Sequence, residues 1–352
     1  MVDWHSSMSQ MFEFYVVDPV TWGDKELLNN IKTCTINRDD EEETLGSATL
    51  ECTDPLGECY VRAYLIPIQN GKQEKHALGT FMVQTPSIVF DGKVRNISMD
   101  AYTPLLELKE KLPPIGYAIS SGGNVMDTAF RLCRENVRAP VVKTSSETIL
   151  YCDFIADPSE NWLSFMTDFI AYANFRFSLD EKGRILFAPK QDTASLQPVW
   201  TYDDTNSSIL YPDITVDRDL YGIPNVVEVV YSTDTSYYYA KVVNDDPNSP
   251  ISTVKRGREI MHRVSNPEFP GEPTQAQIEK YAEQLLRNLS SLEYTLSYTH
   301  GYCPVRVGDC VMLNYSRAGL VNVKAKVVRQ SIKCEPGCPV TETAVFTTKL
   351  WG

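Results

Sequence analysis

The pattern of hydrophobic and polar positions changes twice along the chain. From about residue 12 to residue 104, short segments rich in Val, Ile, Thr, Tyr and Phe end at Asp-Pro, Thr-Pro, Asn-Gly or Asp-Gly turns. The predicted strands are FEFYVVDP, IKTCTINR, SATLECTDP, CYVRAYLIP, LGTFMVQTP and VRNISMDAY. Because their spacing is regular and no convincing helix separates them, residues 1–104 are predicted to form an antiparallel barrel or sandwich.

Helical spacing replaces this pattern at residue 105. LLELKEKL predicts a short helix that stops at Pro113-Pro114, and VMDTAFRLCREN predicts a second helix. A third helix is predicted over DPSENWLSFMTDFIAYAN, with its start at Asp157-Pro158. FRFSLDEKGRILFAP then predicts a hairpin around residues 180–183. Residues 105–198 are therefore expected to form a small α/β insert domain.

Strand-like segments return beyond residue 198 and continue to the end of the sequence. They include SILYPDITVDRD, NVVEVVYS, SYYYAKVVN, LEYTLSYTH, DCVMLNY, VNVKAKVVRQSIK and ETAVFTTKLW. One amphipathic helix, predicted at about residues 273–290, interrupts them and places Ile278, Ala282 and Leu286 on one face. The predicted fold class is α+β, mainly β, with two antiparallel β-barrel domains, 1–104 and 199–352, on either side of the insert.

The charge balance argues against a protein that grips nucleic acid. The 352 residues carry a formal net charge of -13, and a surface built to hold phosphates would need the opposite sign. The longest charged run is Asp39, Asp40, Glu41, Glu42 and Glu43. A solvated loop is the simplest interpretation of this run, and a loop that repels passing nucleic acid is the sharper one. No signal-peptide pattern or membrane-spanning apolar run is present, so synthesis in the cytoplasm is expected.

Candidate catalytic chemistry is sparse, and no catalytic, metal-binding or cofactor-binding residue is predicted. Nucleotide-binding glycine loops, G-x-S-x-G and H-E-x-x-H are all missing, and only four histidines are present. His300 and Cys303 are three residues apart on a predicted strand, so we expect them to point to opposite faces and not to meet. A carboxylate pair of the glycosidase type cannot be singled out among 46 acidic residues.

Tyrosines are concentrated at residues 231 and 237–239. These side chains are of the kind that stacks on bases or sugars. Alternation along an edge strand explains the same pattern without a ligand. Both interpretations stay open at this point.

The nine cysteines are odd in number and scattered, which is typical of reduced, mostly buried thiols. In KCEPGCPV, Cys334 and Cys338 have the spacing of one knuckle of a zinc ribbon, but Cys303 and Cys310 are seven residues apart and do not supply the second knuckle. We therefore predict a hairpin tip with Pro336-Gly337 in the turn. Cys334 and Cys338 would then face each other as a cross-strand thiol pair, able to form a reversible disulfide.

The order of these segments resembles the hub proteins at the centre of phage tail baseplates. The resemblance rests on GSATLECTDP, LGTFMVQTP, ISMDAYTPLLELKEKL, NWLSFMTDFIAYANFRFSLDEKGRILFAP, NVVEVVYS, VRVGDCVMLNY and VVRQSIKCEPGCPVTETAVFTTKLW. It extends over essentially the full length. Similar proteins are the T4-type hub, the late control protein D group, the hubs of defective prophages and the N-terminal part of siphophage tail-associated proteins.

The resemblance implies a structural protein of the virion, in the tail baseplate or tip, that works without a cofactor. It implies a homotrimer whose six tube-like barrels form a pseudo-hexameric ring. One side of this ring would bind the tail tube or a distal tail protein, and the other a spike, tip or fibre protein. The tape measure protein would be a further partner, and DNA would only pass through the channel. The acidic loop at residues 39–43 would face the lumen or the ring interface.

Two other function classes stay open. One is a tail-associated peptidoglycan hydrolase that uses acidic residues. The other is a carbohydrate-binding adhesin that uses the tyrosine-rich strand.

Overall fold

A computed structural model describes residues 2–90, 92–93, 95–191, 195–218, 220–234, 236–267, 269 and 272–351. The chain divides into two compact units. The first unit is Met1–Ile214 with Ser297–Ala344, and the second is Thr215–Leu296 with Val345–Gly352. The predicted boundaries at 104/105 and 198/199 both lie within the first unit, and the three-domain division stays a prediction.

The strands predicted before residue 104 are all present. Strands of this region are β1 Ser9–Val17, β2 Asp24–Leu28, β3 Ile31–Asp39, β4 Gly46–Cys52, β5 Cys59–Gln69, β6 Lys72–Gln73, β7 His76–Phe90 and β8 Arg95–Tyr102. Strands β2 and β6 were not predicted. Their sequences, DKELL and KQ, are mostly polar, and β2 lies at one end of the sheet with mostly exposed side chains, so no apolar alternation was needed there.

In the part of the insert region that the structure describes there are three helices, one hairpin, and one two-stranded sheet formed by segments distant in sequence. Its elements are α1 Leu106–Lys109, β9 Ala118–Ile119, α2 Val125–Asn136, β10 Phe154–Ile155, α3 Trp162–Ala171, β11 Phe175–Leu179 and β12 Ile185–Pro189. Helix α2 covers the predicted segment. Helix α3 begins at Trp162 rather than near Asp157, because Asn161 caps it by accepting a hydrogen bond from the Ser164 amide at 2.8 Å. The Asp157 carboxylate instead closes a separate turn.

The remaining elements complete both units. They are β13 Pro198–Asp203, β14 Leu210–Arg218, β15 Val226–Ser232, β16 Tyr237–Val243, α4 Thr253–Arg256, β17 Met261–Ser265, α5 Gln275–Leu289, β18 Ser291–Gly301, β19 Cys310–Tyr315, a 3-10 turn Ser316–Ala318, β20 Leu320–Lys333 and β21 Pro339–Lys349. Strands β14, β18 and β21 each begin in one unit and end in the other.

In the first unit, strands from the two predicted β domains belong to one sheet. Its order includes β18-β21-β20-β3-β4-β8-β7-β5-β1-β2. The joining pair is β3 with β20, which run antiparallel with Ile36 opposite Ile332. The core beneath them combines Ile36, Leu50 and Leu65 with Ile332 and Val340. The mainly β, largely antiparallel character predicted from the sequence is confirmed.

The second unit contains a three-stranded sheet covered by the predicted helix. Strands β16-β15-β17 form the sheet, and α5 begins after a capping box made by Thr274 and Gln277. Its apolar face, with Ile278, Ala282 and Leu286, packs on the sheet. The helix predicted at 273–290 is confirmed. Across the described residues, no helix is long and apolar enough to span a membrane.

Gly46 is required where β4 starts. Its φ is +130°, and a Cβ built there would lie 2.2 Å from the Asn37 backbone oxygen. We expect Gly46→Ala to lower the free energy of unfolding by about 3 kcal/mol, through strain and a clash with backbone. Gly57→Ala, where a Cβ meets nothing within 4 Å, should change it by less than about 0.5 kcal/mol. Urea denaturation of both variants tests this, and equal losses would contradict it.

Candidate functional site

The acidic run lies in the loop between β3 and β4 and is held against β20. The Asp40 amide donates to the Val328 backbone oxygen at 2.9 Å, and the Leu45 amide donates to the Glu42 backbone oxygen at 2.9 Å. Asp39, the last residue of β3, is opposite Arg329 in the sheet. The loop is therefore a short, fixed turn on the surface of the first unit.

Asp40 joins this loop to two other parts of the unit. Its carboxylate forms salt bridges with Arg176 of the insert hairpin β11–β12 and with Lys326 of β20, the latter at 2.8 Å. Burial lowers the pKa of Arg176, and burial together with the neighbouring Arg176 lowers the pKa of Lys326. One carboxylate thus balances two half-buried cations.

The other carboxylates of the run are mostly paired too. Asp39 and Glu41 both contact Arg329. The Glu43 carboxylate lies 2.7 Å from the Lys109 ammonium, next to α1 of the insert. Glu42 is exposed and forms no salt bridge within the described part of the chain. The run therefore connects β3, the insert and β20, a role that sequence analysis missed because it depends on residues far away in the chain. Its predicted position at the lumen or ring interface stays a prediction.

A cavity of about 560 Å³ lies beside Asp40 in the same unit. Its wall includes Asp40, Thr80, Arg176, Asp180, Arg306 and Asp309. Burial raises the pKa of Asp309, whose carboxylate accepts a hydrogen bond from the Arg306 amide at 2.9 Å. Cationic and anionic side chains line the wall in equal number, so the cavity has no electrostatic preference for a phosphate. In the described ranges, no group of three or more His, Cys, Asp or Glu side chains could hold a metal ion.

Because Asp40 forms salt bridges and Glu42 does not, neutralising each carboxylate should change the free energy of unfolding by very different amounts. Asp40→Asn leaves Arg176 and Lys326 half buried without their counter-charge, and should lower the free energy of unfolding by about 2 kcal/mol. The matched control Glu42→Gln removes an exposed carboxylate and should change it by less than about 0.5 kcal/mol. Thermal and urea denaturation measure both. Similar small effects would show that the Asp40 pairs contribute little.

A second polar cluster is enclosed completely in the first unit and centres on Glu342 of β21. Its carboxylate accepts hydrogen bonds from the hydroxyls of Tyr298, at 2.8 Å, and Tyr202, at 3.1 Å. The Gln330 amide donates to the other carboxylate oxygen at 2.5 Å. The His300 Nε2 lies 3.3 Å from that same oxygen. Glu342 and His300 are both 0% exposed, so this is an ion pair removed from water.

Gln330 connects the Glu342 cluster to β3 by hydrogen bonds. Besides Glu342, its side-chain nitrogen donates to the Val305 backbone oxygen at 3.0 Å. Its side-chain oxygen accepts from the Arg38 guanidinium at 3.0 Å, and Arg38 also donates to the Leu78 backbone oxygen at 2.6 Å. The polar groups are therefore satisfied along a continuous path from β7 to β21.

Glu342 and His300 each stabilise the charged form of the other. Burial opposes a charged imidazole, but Glu342 more than offsets this and raises the pKa of His300 to about 10. Burial likewise opposes the carboxylate, yet His300 and its hydrogen-bond donors hold the pKa of Glu342 below its ordinary value. In the charged ring both nitrogens find acceptors, since Nδ1 lies 2.6 Å from the Gly301 oxygen. Burial and the nearby Glu342 carboxylate raise the pKa of Tyr202 and Tyr298 well above the ordinary range.

The expectation that His300 and Cys303 do not meet is wrong. Strand β18 ends at Gly301, so the alternation of faces stops before Cys303, and its sulfur lies 3.9 Å from His300 Nδ1. The same sulfur is 3.3 Å from the Tyr202 hydroxyl. Both residues are buried, and a nucleophile needs a path for its substrate. The geometry is that of a structural polar core.

The ion pair predicts a particular dependence of stability on pH. The raised pKa of His300 adds stability that is complete below its ordinary value of 6.5 and is lost as pH rises through about 10. The lowered pKa of Glu342 adds stability that is complete above 4.5 and is lost as pH falls toward its folded-state pKa. We therefore expect the free energy of unfolding to decline on both sides of pH 4.5–6.5.

Glu342→Gln tests this assignment because it keeps the shape of the side chain. It should cost about 3 kcal/mol near pH 6 and less above pH 10, where the wild-type imidazole is neutral and the ion pair is lost. Urea denaturation at several pH values measures both proteins. A cost independent of pH would contradict the ion pair, and the exposed Glu42→Gln is the control.

The predicted hairpin at KCEPGCPV is present. Strands β20 and β21 pair, and in the turn between them the Cys338 amide donates to the Glu335 oxygen at 2.8 Å. Cys334 and Cys338 are free and buried, and the cross-strand thiol pair stays a prediction. Sequence analysis missed Cys34, whose thiol interacts with that of Cys334 and, with burial, raises the Cys334 pKa. Burial also raises the pKa of Cys338.

The tyrosines of the second unit follow the alternation of an edge strand. In β16, Tyr237 and Tyr239 point outward, while the Tyr238 ring packs at a tilt of 33° against Tyr231 of the neighbouring strand. The Tyr239 hydroxyl donates to Glu228 at 2.9 Å. Packing within the sheet therefore explains why tyrosines are concentrated at these positions.

Comparisons with known proteins find similar folds but no similar sequence family. No family model matches the chain, and no curated protein matches it. The tail protein from Neisseria meningitidis MC58 superposes with a TM-score of 0.63 at 12% identity, over 97% of this chain and 98% of that one. The 43 kDa tail protein of prophage MuSo2 from Shewanella oneidensis gives 0.62 at 11% identity, over 96% and 98%.

A chain of the Francisella PdpA-VgrG complex is similar as well. Its TM-score is 0.56 at 8% identity, and the similarity covers 96% of this chain but 53% of that one. Both tail proteins match along nearly their entire length, and this agrees with the hub-type resemblance drawn from the order of segments. The chain therefore has the fold of phage tail proteins, shared with part of a VgrG-type complex.

Proposed function

We propose that this protein is the structural hub of a phage tail, or of a phage-derived particle, in the baseplate or tail tip. Three copies would form a pseudo-hexameric ring that joins a sixfold tail tube to a threefold spike or tip protein. The observation that carries the proposal is the fold similarity to two tail proteins, which extends from end to end of this chain.

The buried polar groups support a structural role over a catalytic one. The Glu342 cluster contains the residue types of an active site, but its members are sealed from solvent. Its hydrogen bonds connect β3, β13, β18, β20 and β21, which is what a rigid ring component needs. The Asp40 pairs likewise connect the insert to the sheet.

The charge of the chain suits a channel wall. A net charge of -13 opposes adhesion of DNA phosphates as the genome passes. Within the acidic loop, the exposed Glu42 would contribute to such a wall, whereas the paired carboxylates contribute less because nearby cations neutralise them. The tape measure protein and DNA would then occupy the channel in turn.

The proposal predicts self-association of the purified chain. Native mass spectrometry and sedimentation equilibrium should find three times the chain mass of 39.8 kDa, with a ring in electron micrographs. A chain that stays monomeric at high concentration, both alone and with its tube and spike proteins, would overturn the proposal. Cell-wall zymography is the control for the enzymatic alternative, and a lysis band from the pure protein would favour the hydrolase.

A further inference from the structure

Three cysteines from distant parts of the chain meet in one core of the first unit. Cys34 lies in β3, and Cys334 and Cys338 flank the turn between β20 and β21. All three belong to the same hydrophobic cluster, with exposures of 3%, 8% and 0%. Because Cys34 and Cys334 are 300 positions apart in the sequence, no local pattern indicates that they meet.

The register of β3 and β20 places Cys334 directly opposite Cys34. The last residues of the strand pair are Thr35 and Lys333, and the next step of an antiparallel pair brings together residues 34 and 334. The Cys334 amide donates to the Cys34 backbone oxygen at 2.8 Å. This is one of the two hydrogen bonds that opposite residues of a hydrogen-bonded pair exchange, so the pairing continues through the two cysteines.

Both thiols lie on the core face of the pair. Ile36 is opposite Ile332, and both are buried. Because side chains two positions apart on a strand share a face, Cys34 lies on the face of Ile36 and Cys334 on that of Ile332. The Cys34 thiol interacts with that of Cys334, and this interaction together with burial raises the Cys334 pKa.

The spacing of the two cysteines suits a disulfide. Opposite Cα atoms of a hydrogen-bonded antiparallel pair are about 5.5 Å apart, and disulfides join Cα atoms about 4.4–6.8 Å apart. The Cβ atoms, about 5 Å apart, need to approach by about 1 Å. Cys334 lies just beyond the end of β20, where an exposed turn begins, so its backbone is free to make this small adjustment.

We propose that Cys34 and Cys334 form a disulfide when the protein meets an oxidising medium, and that this bond fastens β3 to the β20–β21 hairpin. Thiols stay reduced in the cytoplasm, so the chain folds with both thiols free. The bond differs from the Cys334–Cys338 pair predicted from the sequence. It does not depend on the proposed hub function, since it concerns the first unit alone.

A small disulfide is a sufficient oxidant. Cys334 adjoins the exposed Glu335, so it reacts first: its thiolate attacks one sulfur of the small disulfide and releases one small thiol. The Cys34 thiolate then attacks the Cys334 sulfur and releases the second. One small disulfide is thereby reduced to two thiols, which take up the two protein protons, and one protein disulfide forms.

Oxidised glutathione tests the proposal on the full chain at pH 8.5, with the dithiothreitol-reduced protein as the reference. Trypsin releases Cys34 in TCTINR, and Cys334 and Cys338 together in CEPGCPVTETAVFTTK. Mass spectrometry without reduction should find these two peptides linked. Fragmentation at the Glu335–Pro336 bond then shows that Cys334 carries the link.

The bond should also raise the thermal midpoint of the first unit. Closing so long a loop restricts the unfolded chain, and the oxidised protein should unfold about 3–5 °C above the reduced one. Cys34→Ala removes the link and the shift, whereas Cys338→Ala keeps both. Each variant is compared with its own reduced form, so the cost of the substitution cancels. Cys152→Ser in every protein removes the exposed thiol as a source of links between chains.

The outcomes decide between the possible thiol pairs. A TCTINR link to Cys334, with a higher midpoint after oxidation that Cys338→Ala keeps and Cys34→Ala loses, supports the proposal. A bond within CEPGCPVTETAVFTTK would show that Cys334 pairs with Cys338, and it would overturn the proposal, as would a Cys34 thiol that stays free after a day of oxidation. A link without a change of midpoint would overturn the fastening role.

Discussion

The pairing of β3 with β20 is the constraint on which the first unit depends. It brings together residues such as Arg38 and Gln330, which are 292 positions apart in sequence and hydrogen-bonded in the fold. Closing so long a loop costs entropy before any contact forms. The cost is offset by a shared core, with Ile36 and Ile332 side by side, and by polar contacts that no other register would satisfy.

Those polar contacts explain why the register is unique. A one-residue slip of β20 would move Gln330 to the opposite face and remove its hydrogen bonds with Glu342 and Arg38. The loss of a buried hydrogen-bond partner costs about 1–3 kcal/mol. Asp40 acts in the same way at the surface, since only the observed arrangement places its carboxylate between Arg176 and Lys326. Apolar burial provides most of the stability, and the enclosed charges select one arrangement.

The insert region has two kinds of surface. Where the insert meets the sheet, charged groups are paired and the junction is rigid within the first unit. Elsewhere in the insert region, large apolar side chains are left in water. A structural component of an assembly needs both, because a rigid body transmits load only if its own junctions hold, and it joins others only through surface left uncovered.

The sequence by itself determined the local elements and the fold class. Periodicity located helices α2 and α5, the strands with alternating Val, Ile and Tyr, and the hairpin at Pro336-Gly337, since these depend on neighbours within a few residues. It could not find β2, whose edge position requires no apolar pattern. Nor could it pair Asp40 with Arg176, His300 with Glu342, or Cys34 with Cys334. Only the tertiary structure decided those contacts. They arise from the register of strands that are hundreds of residues apart, and local sequence patterns do not specify that register.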